Sequence, residues 1–469
     1  MKNILLAVLT VLSTFAFSET KLPAIFGNNM VLQQQSKINI WGWDNPETSI
    51  SIKTSWKEKI KVITSKNGEW KASIPTPSAG GPYEITVKGT TEITYSNILI
   101  GEVWLCSGQS NMEMPLKGFN NQPISGGHKT ISNSTNKNIR LFKVNRSLSL
   151  NPEENLLGEW QECTPENTSK FSAVAYYFAK KLEKNINIPV GLIGTYWGGS
   201  KVEAWTNAKT LKKIMPEIKQ LNTLPDVTNW KSGQEPSLLF NAMVNPLIPY
   251  TIKGTIWYQG ESNRNNPEVY KNSFPAMVKS WREEWRQGDF PFYFVQIAPF
   301  RYDGPDSIAS ALLRESQLLA SEKIENSGMV SSMDAGDCYC IHPANKKPIG
   351  ERLASYALKN DYGFNYIQAE GPRLKEMKIT NNKAILIFKN APMGLVSMNK
   401  MLEGFEIAGA NRIFYPAKAK VVRALSTLEI SSPEVSQPVA VRYAFKNCSE
   451  GTLFNTEGVP APSFRTDNW

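Results

Sequence analysis

Histidine is scarce in this sequence, since its 469 residues include only His128 and His342. An enzyme that activates a serine nucleophile near neutral pH usually needs a histidine base, so any such base must be one of these two. His128 lies in a Gly- and Asn-rich stretch that is typical of a solvent loop. His342 follows a predicted strand, where catalytic groups collect in parallel sheets. We favour His342, with a structural role in capping the next helix as the alternative.

Cysteine is also sparse for a chain of this length. The five cysteines are Cys106, Cys163, Cys338, Cys340 and Cys448. They permit at most two disulfides, so the stability of the fold must rest on its core. Cys338 and Cys340 lie near His342, but no second Cys or His pair completes a tetrahedral zinc site. We therefore expect no metal and no other cofactor.

Long apolar runs are missing after the first residues of the chain. Residues 1–18 combine a charged start at Lys2, a short apolar run and the sequence Ala16-Phe17-Ser18, which is typical of a secretory signal. The run is too short to span a bilayer. We therefore expect an exported protein, periplasmic or extracellular, with no membrane insertion after removal of the signal.

Charge of one sign is not concentrated in any tract. The formal net charge is +10, with 52 Lys and Arg against 42 Asp and Glu, and 41% of the residues are hydrophobic. These values are ordinary for a globular protein with a packed core. No segment resembles a basic arm, so no nucleic-acid partner is expected. The sequence leaves the oligomeric state unknown.

The chain after the signal divides into three regions by the secondary structure that its patterns predict. Residues 19–97 contain short alternating strands, with a hairpin-turn signal at Asn67-Gly68, which indicates a β-sandwich-like domain. Residues 98–365 alternate strands with helices, which predicts a parallel sheet covered on both faces. Residues 366–469 return to short strands, either as a separate domain or packed with the first region.

Three candidate nucleophiles lie together in the sequence GEVWLCSGQSNMEMPL, residues 101–116. Ser110 is favoured because a serine at a strand-to-helix turn is exposed and its own N–H can help to stabilise an oxyanion. Cys106 lies inside the apolar run and is predicted to be a small core residue. Ser107 is predicted to cap a turn.

Two further blocks place chemically useful groups at predicted strand ends. YWGGSKVEAW supplies Gly198 and Gly199, which can bring a backbone N–H close to a ligand or simply form a tight turn. IWYQGESN supplies Gln259, whose amide is a candidate oxyanion donor. The alternative for this block is a hydrogen-bonded loop with a helix cap at Asn263.

The order of a Ser, a Gly turn, an amide and a late His resembles the SGNH hydrolase superfamily. The match extends to the sialate O-acetylesterase family, most specifically in GQSNM and QGESN and also in GLIGTYWGGSKVEAW and IHPANKKPIGERLA. It runs over nearly the whole chain after residue 18. It implies an α/β fold with an SGNH-type (flavodoxin-like) three-layer α/β/α catalytic domain, flanked by β-sandwich-like N- and C-terminal regions. Related acetylxylan esterases share similar blocks, so the ester that is cleaved stays open.

The resemblance implies a role for each block. Ser110 would be the nucleophile and His342 the base that activates it. The oxyanion would be held by the N–H of Ser110, by a glycine N–H at Gly199 or Gly198, and by the amide of Gln259. The reaction would be acyl transfer through an acetyl-enzyme.

The acid that should orient His342 is missing from its expected place. The superfamily usually has Asp three residues before the His, and sialate esterases often have it two residues before, but these positions hold Tyr339 and Cys340. Asp337 is the acid that we favour, with Asp334 or a backbone carbonyl as alternatives. An unsupported imidazole would lose control of its tautomer and orientation.

The resemblance implies a secreted carbohydrate esterase that removes O-acetyl groups from sialic acids. An acetylxylan or other sugar-ester deacetylase is the runner-up, and a non-catalytic glycan-binding protein is the alternative from another class. Trp197 and Tyr258 are candidates to stack on the sugar, with core packing as the alternative. Arg314 is a candidate partner for a sugar carboxylate, with a surface ion pair as the alternative.

Overall fold

The computed structural model describes residues 19–422 and 426–469. The predicted signal, residues 1–18, lies outside the described residues. Within the described ranges, no helix is long and apolar enough to cross a membrane. The predicted combination of a mixed α/β region with additional β-sheets is confirmed.

The N-terminal region consists of strands that bury alternate side chains. In one of them Trp70, Ala72 and Ile74 are buried while their neighbours are exposed, as a sheet with one covered face requires. Asn67-Gly68 does lie in a turn, but the strands on its two sides join different sheets and do not pair as a hairpin. The strands are β1 (Val31–Gln33), β2 (Lys37–Trp43), β3 (Ser49–Thr54), β4 (Lys59–Ile63), β5 (Glu69–Pro75) and β6 (Gly80–Lys88).

The central region alternates strands with helices, as predicted. Its elements are β7 (Glu92–Gly108), α1 (Ser110–Glu113), α2 (Gly127–Ser132), β8 (Asn136–Lys143), β9 (Trp160–Cys163), α3 (Pro165–Ser169), α4 (Ala173–Ile186), β10 (Val190–Tyr196), α5 (Ala208–Ile214), β11 (Gly254–Tyr258), α6 (Pro267–Trp285), β12 (Phe292–Val295), α7 (Ala309–Lys323), β13 (Ser327–Val330) and α8 (Lys347–Asp361). The strand order is β13-β12-β11-β7-β10-β8-β9, in which β9 alone is antiparallel to its neighbour.

The strand β7 is shared by the N-terminal and central regions. Its first part pairs with β6 and β1, and its last part pairs in parallel with β10 and β11. A single continuous strand therefore crosses the predicted boundary between residues 97 and 98, and it carries the N-terminal sheet directly into the central region.

Helices cover both faces of the parallel sheet, so its inner strands are buried on both sides. The helices α4 and α8 pack together over one face, which includes Trp104 and Tyr293. The helices α6 and α7 pack together over the other face, which includes Trp257 and Phe292. Every residue of β10 and β11 is buried.

The carboxyl ends of three central strands stop at the same level. Gly108, the last residue of β7, is in register with Tyr196 at the end of β10 and with Tyr258 at the end of β11. The GQSNM, Gly198-Gly199 and QGESN blocks therefore leave the sheet side by side. The segment that carries His342 follows β13 at this same edge.

The C-terminal region consists of strands alone within its described residues. They are β14 (Arg373–Thr380), β15 (Lys383–Lys389), β16 (Leu395–Val396), β17 (Phe405–Ala408), β18 (Phe414–Pro416), β19 (Lys418–Val422), β20 (Thr427–Ser431), β21 (Ala440–Tyr443), β22 (Phe454–Asn455) and β23 (Phe464–Arg465). They form two antiparallel sheets, β14-β15-β20-β19 and β18-β17-β21-β23, and the pair β16-β22. Leu386, Ile407 and Tyr443 lie in their shared core.

Candidate active site

Ser110 lies at a sharp turn between β7 and α1. Gly108 has φ of +138°, and a Cβ at this position would come within 2.2 Å of the Tyr258 carbonyl oxygen, so only glycine fits. The N–H of Gln109 donates to the same carbonyl at 2.9 Å. The side-chain oxygen of Gln109 accepts from the N–H of Gly260 at 3.2 Å. The turn is therefore fastened to the neighbouring strand end, and it presents Ser110 at the surface of the site.

Of the three candidate nucleophiles, only Ser110 has an exposed surface. Cys106 is fully buried, and burial raises the pKa of its thiol well above the usual value, so the prediction that it is a core residue is confirmed. Ser107 is also fully buried, and its hydroxyl has no hydrogen-bond partner in the described structure. The prediction that Ser107 caps a turn is wrong, because Ser107 lies inside β7 and its hydroxyl bonds to no turn.

The loop that carries His342 packs beside the serine turn. Asn111, the residue after Ser110, donates from its side chain to the carbonyl oxygen of Ile341 at 3.1 Å. No hydrogen bond joins Ser110 to His342 among the described contacts. Such bonds are often long in an enzyme without its substrate and shorten in the complex. The structure therefore places the two predicted residues on adjacent segments, joined by a hydrogen bond between their chain neighbours. The other histidine, His128, is exposed on the short helix α2.

Gln122 is the hydrogen-bond partner of His342. Its side-chain oxygen lies 2.6 Å from Nδ1 of the imidazole. An amide oxygen can only accept, so Nδ1 carries the proton and Nε2 keeps its lone pair. The ring of Phe119 meets the imidazole edge-on, with the ring centroids 5.2 Å apart. These contacts set the tautomer and the orientation of the imidazole.

The electrostatic surroundings keep His342 uncharged. Burial, reinforced by the positive charge of Lys346, lowers the pKa of His342 to about 4. The imidazole is therefore neutral at physiological pH, which is the form that can accept a proton from a serine.

The structure does not give His342 either of the two predicted carboxylates as a partner. Asp337 is exposed, and its carboxylate accepts from the backbone N–H groups of Tyr339 at 2.8 Å and Cys340 at 3.3 Å. Asp334 is paired with the guanidinium of Arg352, with the closest contact at 2.6 Å. Asp337 turns back on its own loop because a short carboxylate bonds readily to N–H groups two and three residues ahead. Gln122 takes the place that Asp337 was predicted to fill.

A disulfide fixes the His342 loop to the C-terminal region. Cys338 pairs with Cys448, 110 residues away, with the Cα atoms 5.5 Å apart. Cys340 is free, and its sulfur lies 3.2 Å from the carbonyl oxygen of His342. Cys338 is therefore a structural cysteine and not a metal ligand.

The glycine turn after β10 lies directly against Ser110. A Cβ at Gly198 would be 3.3 Å from the Ser110 Cβ. The N–H of Gly198 already donates to the Glu113 carboxylate at 2.8 Å, and Arg146 holds the same carboxylate at 2.5 Å. Gly199 has φ of +76°, and its N–H has no acceptor among the described residues. Gly199 is thus the better placed of the two predicted donors.

The predicted role of Gln259 as an oxyanion donor conflicts with its contacts. The side chain is fully buried, and its amide nitrogen donates to the Ser200 carbonyl at 3.0 Å and to Oδ1 of Asn263 at 2.7 Å. Both N–H bonds are used, so none is left for a substrate. Asn263 also accepts from the N–H of Val202 at 3.1 Å. This block braces the glycine turn, which agrees with the alternative of a hydrogen-bonded loop.

A buried polar network lies under the serine turn and was not predicted. The Lys346 ammonium donates to the side-chain oxygen of Asn111, and the Asn111 amide donates to Glu261 at 2.5 Å. Burial lowers the pKa of Lys346 to about 7 and raises the pKa of Glu261. The network fixes Asn111 and thereby the turn of Ser110. A lysine just before a helix looks like a surface residue in the sequence, so no sequence signal pointed to it.

The three predicted sugar-binding residues all lie in the interior. Trp197 and Tyr258 are each 1% exposed, so core packing, the alternative for both, is what the structure shows. Arg314 is fully buried and donates to the Ser463 hydroxyl at 3.1 Å and to the Ala444 carbonyl at 3.4 Å. It joins α7 to the C-terminal strands, so both the sugar-carboxylate role and the surface ion pair are wrong.

The chain is similar to known carbohydrate esterases. The model of the family described as "Carbohydrate esterase, sialic acid-specific acetylesterase" matches residues 100–359, more than half of the chain. The sialate O-acetylesterase of Homo sapiens is 28% identical over 491 residues, covering 95% of this chain and 92% of that protein. The mouse enzyme, from Mus musculus, is 26% identical over 532 residues, covering 98% and 97%. The crystal structure of a carbohydrate acetylesterase from Xanthomonas citri matches with a TM-score of 0.88 and 35% identity, covering 96% of this chain and 100% of that chain.

Proposed function

Because this chain belongs to the family of sialic acid-specific acetylesterases and is a carboxylic ester hydrolase, we propose that it removes O-acetyl groups from sialic acids. The observation that carries the proposal is the placement of Ser110 beside the loop that holds a neutral His342. The sialate O-acetylesterases among its relatives support the choice of sugar. Membership of an enzyme family favours this reading over a non-catalytic glycan-binding protein.

The proposed reaction is acyl transfer in two steps. The hydroxyl oxygen of Ser110 attacks the acetyl carbonyl carbon while Nε2 of His342 accepts the hydroxyl proton. The tetrahedral oxyanion is stabilised by the N–H groups of Ser110 and Gly199. It collapses as the C–O bond to the sugar breaks and the sugar oxygen receives the proton from His342. Water then attacks the acetyl-enzyme with the same base, which releases acetate and restores Ser110.

In this mechanism Gln122 does the orienting work that an acid does in a Ser-His-Asp triad. Its carbonyl oxygen holds Nδ1–H of His342 and keeps Nε2 directed at the serine. An amide orients the ring but offers no full negative charge to the imidazolium that forms during the reaction. The low pKa of His342 agrees with this uncharged partner.

Two finer points of the proposal concern the fold class and the location. We assign the central region to the SGNH type, with the parallel sheet between two helical layers, on the order of its Ser, Gly and His blocks. We also propose export to the periplasm or the extracellular space, on the signal-like residues 1–18. The formal net charge of +10 suits an acidic sugar substrate.

A second candidate is a deacetylase that acts on xylan or another acetylated sugar. The observation that favours it is the high structural similarity to the Xanthomonas citri protein, which is described only as a carbohydrate acetylesterase. This candidate uses the same site and the same chemistry, and it differs only in the sugar that is bound.

Acetate release from O-acetylated sialic acid and from acetylated xylan separates the two candidates. Wild-type protein is expected to deacetylate the sialic acid with the higher kcat/KM, and Ser110→Ala is expected to release acetate from neither. A clear preference for acetylated xylan would replace the first proposal by the second. Equal activity of wild type and Ser110→Ala would contradict the mechanism for both.

A further inference from the structure

Trp230 is an exposed aromatic residue at the rim of the candidate site. Its side chain is 57% exposed, whereas most tryptophans of the described chain are buried in the core. Trp197 and Tyr258, which were predicted to hold the sugar, are among the buried residues. The site therefore has an accessible aromatic surface, but it comes from a segment that carries none of the catalytic blocks.

The indole of Trp230 rests on the glycine turn. A Cβ at Gly199 would lie 2.7 Å from Cε3 and 3.0 Å from Cζ3 of the indole, so only glycine lets the ring come this close. The adjacent Gly198 faces Ser110, with its Cβ position 3.3 Å from the serine Cβ. Ser110 and the indole of Trp230 are therefore adjacent to consecutive residues of the same turn, Gly198 and Gly199.

The segment of Trp230 is capped by a local hydrogen bond at its start and packs on the protein core near its end. Trp230 opens a short 3-10 helix, Trp230–Gln234, and the side chain of Asn229 accepts from the N–H of Lys231 at 3.0 Å. Gly233 of the same helix packs on the buried Trp197, where a Cβ would lie 2.6 Å from Cδ1 of that ring. The indole is therefore a fixed surface whose position follows that of the glycine turn.

We propose that Trp230 is the platform that binds the pyranose ring of the acetylated sugar. One face of a pyranose is lined with C–H groups and packs well against a flat aromatic ring. A sugar lying on this indole next to Gly199 is close enough to the glycine turn to direct its acetyl group toward Ser110. The Lys231 ammonium lies over the indole ring, 5.8 Å from its centre, so an acidic sugar that displaces it from the ring would meet its positive charge. This inference rests on the proposed function and names the residue that holds its substrate.

The test compares an ester that has a sugar with one that lacks it. Trp230→Ala is expected to raise KM for O-acetylated sialic acid about tenfold, while kcat/KM for 4-nitrophenyl acetate stays within about twofold of wild type. Trp230→Phe is expected to retain most of the sugar affinity because a flat ring remains. Tyr366→Ala is the matched control, since Tyr366 is 82% exposed and lies outside the site. This variant is expected to change neither KM for the sugar ester nor kcat/KM for 4-nitrophenyl acetate.

Three outcomes would overturn the inference. Unchanged KM for the sugar in Trp230→Ala means that no platform is present. An equal loss on both esters, shared by Trp230→Phe, means that Trp230 supports the glycine turn and not the sugar. Wild-type hydrolysis of 4-nitrophenyl acetate without release of acetate from any acetylated sugar would instead overturn the proposed function, and the inference with it.

Discussion

The serine side and the histidine side of the site are built in different ways. The turn of Ser110 follows the buried strand β7. The strands β10 and β11 pair with β7 on its two sides, and this pairing fixes where β7 ends and the turn begins. The loop of His342 depends on distant segments, with Gln122 on one side of the imidazole and a disulfide to Cys448 at its base. The position of Ser110 is therefore set by strand pairing in the sheet, and the position of His342 is set by contacts with residues distant in sequence.

This difference explains which parts of the site tolerate a change in sequence. A nucleophile at a strand end needs a particular residue at a particular place in the chain. The partner of a histidine needs only an acceptor at the right point in space, which any nearby segment can supply. The replacement of the expected acid by Tyr339 and Cys340 therefore leaves the imidazole supported, by Gln122 from another loop.

The largest expected effect is on the serine side. Ser110→Ala should lower kcat by at least about a thousandfold with the fold intact, since it removes the oxygen proposed to attack the ester. The matched control is Ser107→Ala, which removes a buried hydroxyl without a partner and should leave kcat near that of wild type. Hydrolysis of 4-nitrophenyl acetate measures both. A greater loss from the Ser107 change than from the Ser110 change would reverse the assignment.

The buried network that supports the serine turn should be the next most sensitive feature. Lys346→Met leaves the buried side-chain oxygen of Asn111 without its donor and removes the positive charge near Glu261, and the free energy of unfolding should fall by about 1–3 kcal/mol. Denaturant titration provides the measurement. Lys347→Met is the control, because the Lys347 side chain is 60% exposed. If the two variants have the same free energy of unfolding, the network does not stabilise the turn.

On the histidine side, Gln122→Ala should lower kcat about 10- to 100-fold with little change in KM. The imidazole would keep its place in the loop but lose the acceptor that sets its tautomer. Steady-state kinetics on an acetylated sugar give the split between kcat and KM. A variant as active as wild type would show that the contact seen here has no part in the reaction.

The pH dependence should differ from that of an ordinary histidine base. With the pKa of His342 lowered to about 4, kcat/KM at pH 6 should equal its value at neutral pH. The acid limb of the pH profile should appear only as the pH drops toward 4, where His342 becomes protonated. Gln122→Glu places a carboxylate at Nδ1, favours the imidazolium and should move this limb to higher pH. A wild-type limb near 6.5, or no movement in Gln122→Glu, would contradict the environment described for His342.

The smallest effect is expected at the acid that the sequence favoured. Asp337→Asn should change kcat/KM by less than about twofold, because the side chain is exposed and asparagine can make the same turn contacts. The assay used for Ser110 serves here too. A loss of tenfold or more would restore Asp337 as the partner of His342 and remove that role from Gln122.

The sequence was sufficient where the place of a segment in the fold follows from its position along the chain. The segments of Ser110 and His342 could be placed at one edge of the sheet because each follows a strand, and parallel strands bring their carboxyl ends to one edge. The catalytic roles of the two residues stay predictions. Cys106 could be placed in the core because it lies within an apolar run. The same reasoning predicted the alternation of strands and helices in the central region.

The sequence failed where function depends on burial or on distant contacts. Arg314, Trp197 and Tyr258 look like binding residues in the sequence, yet all three are buried. Both amide hydrogens of Gln259 are donated to acceptors within the protein. Trp230 lies in a segment without a motif, so nothing in its local sequence distinguished it. Outside continuous apolar runs such as that of Cys106, exposure and hydrogen-bond partners depend on distant parts of the folded chain, which local patterns do not reveal.

The most direct test of the account is the identity of the acylated residue. Wild-type protein would be mixed with 4-nitrophenyl acetate, quenched in acid during the first turnover and digested, and the peptides analysed by mass spectrometry. The account predicts one acetyl group, on Ser110, in the peptide that contains GQSNM, and none in Ser110→Ala. An acetyl group on another residue of wild type, such as Ser107 or Cys106, would contradict it.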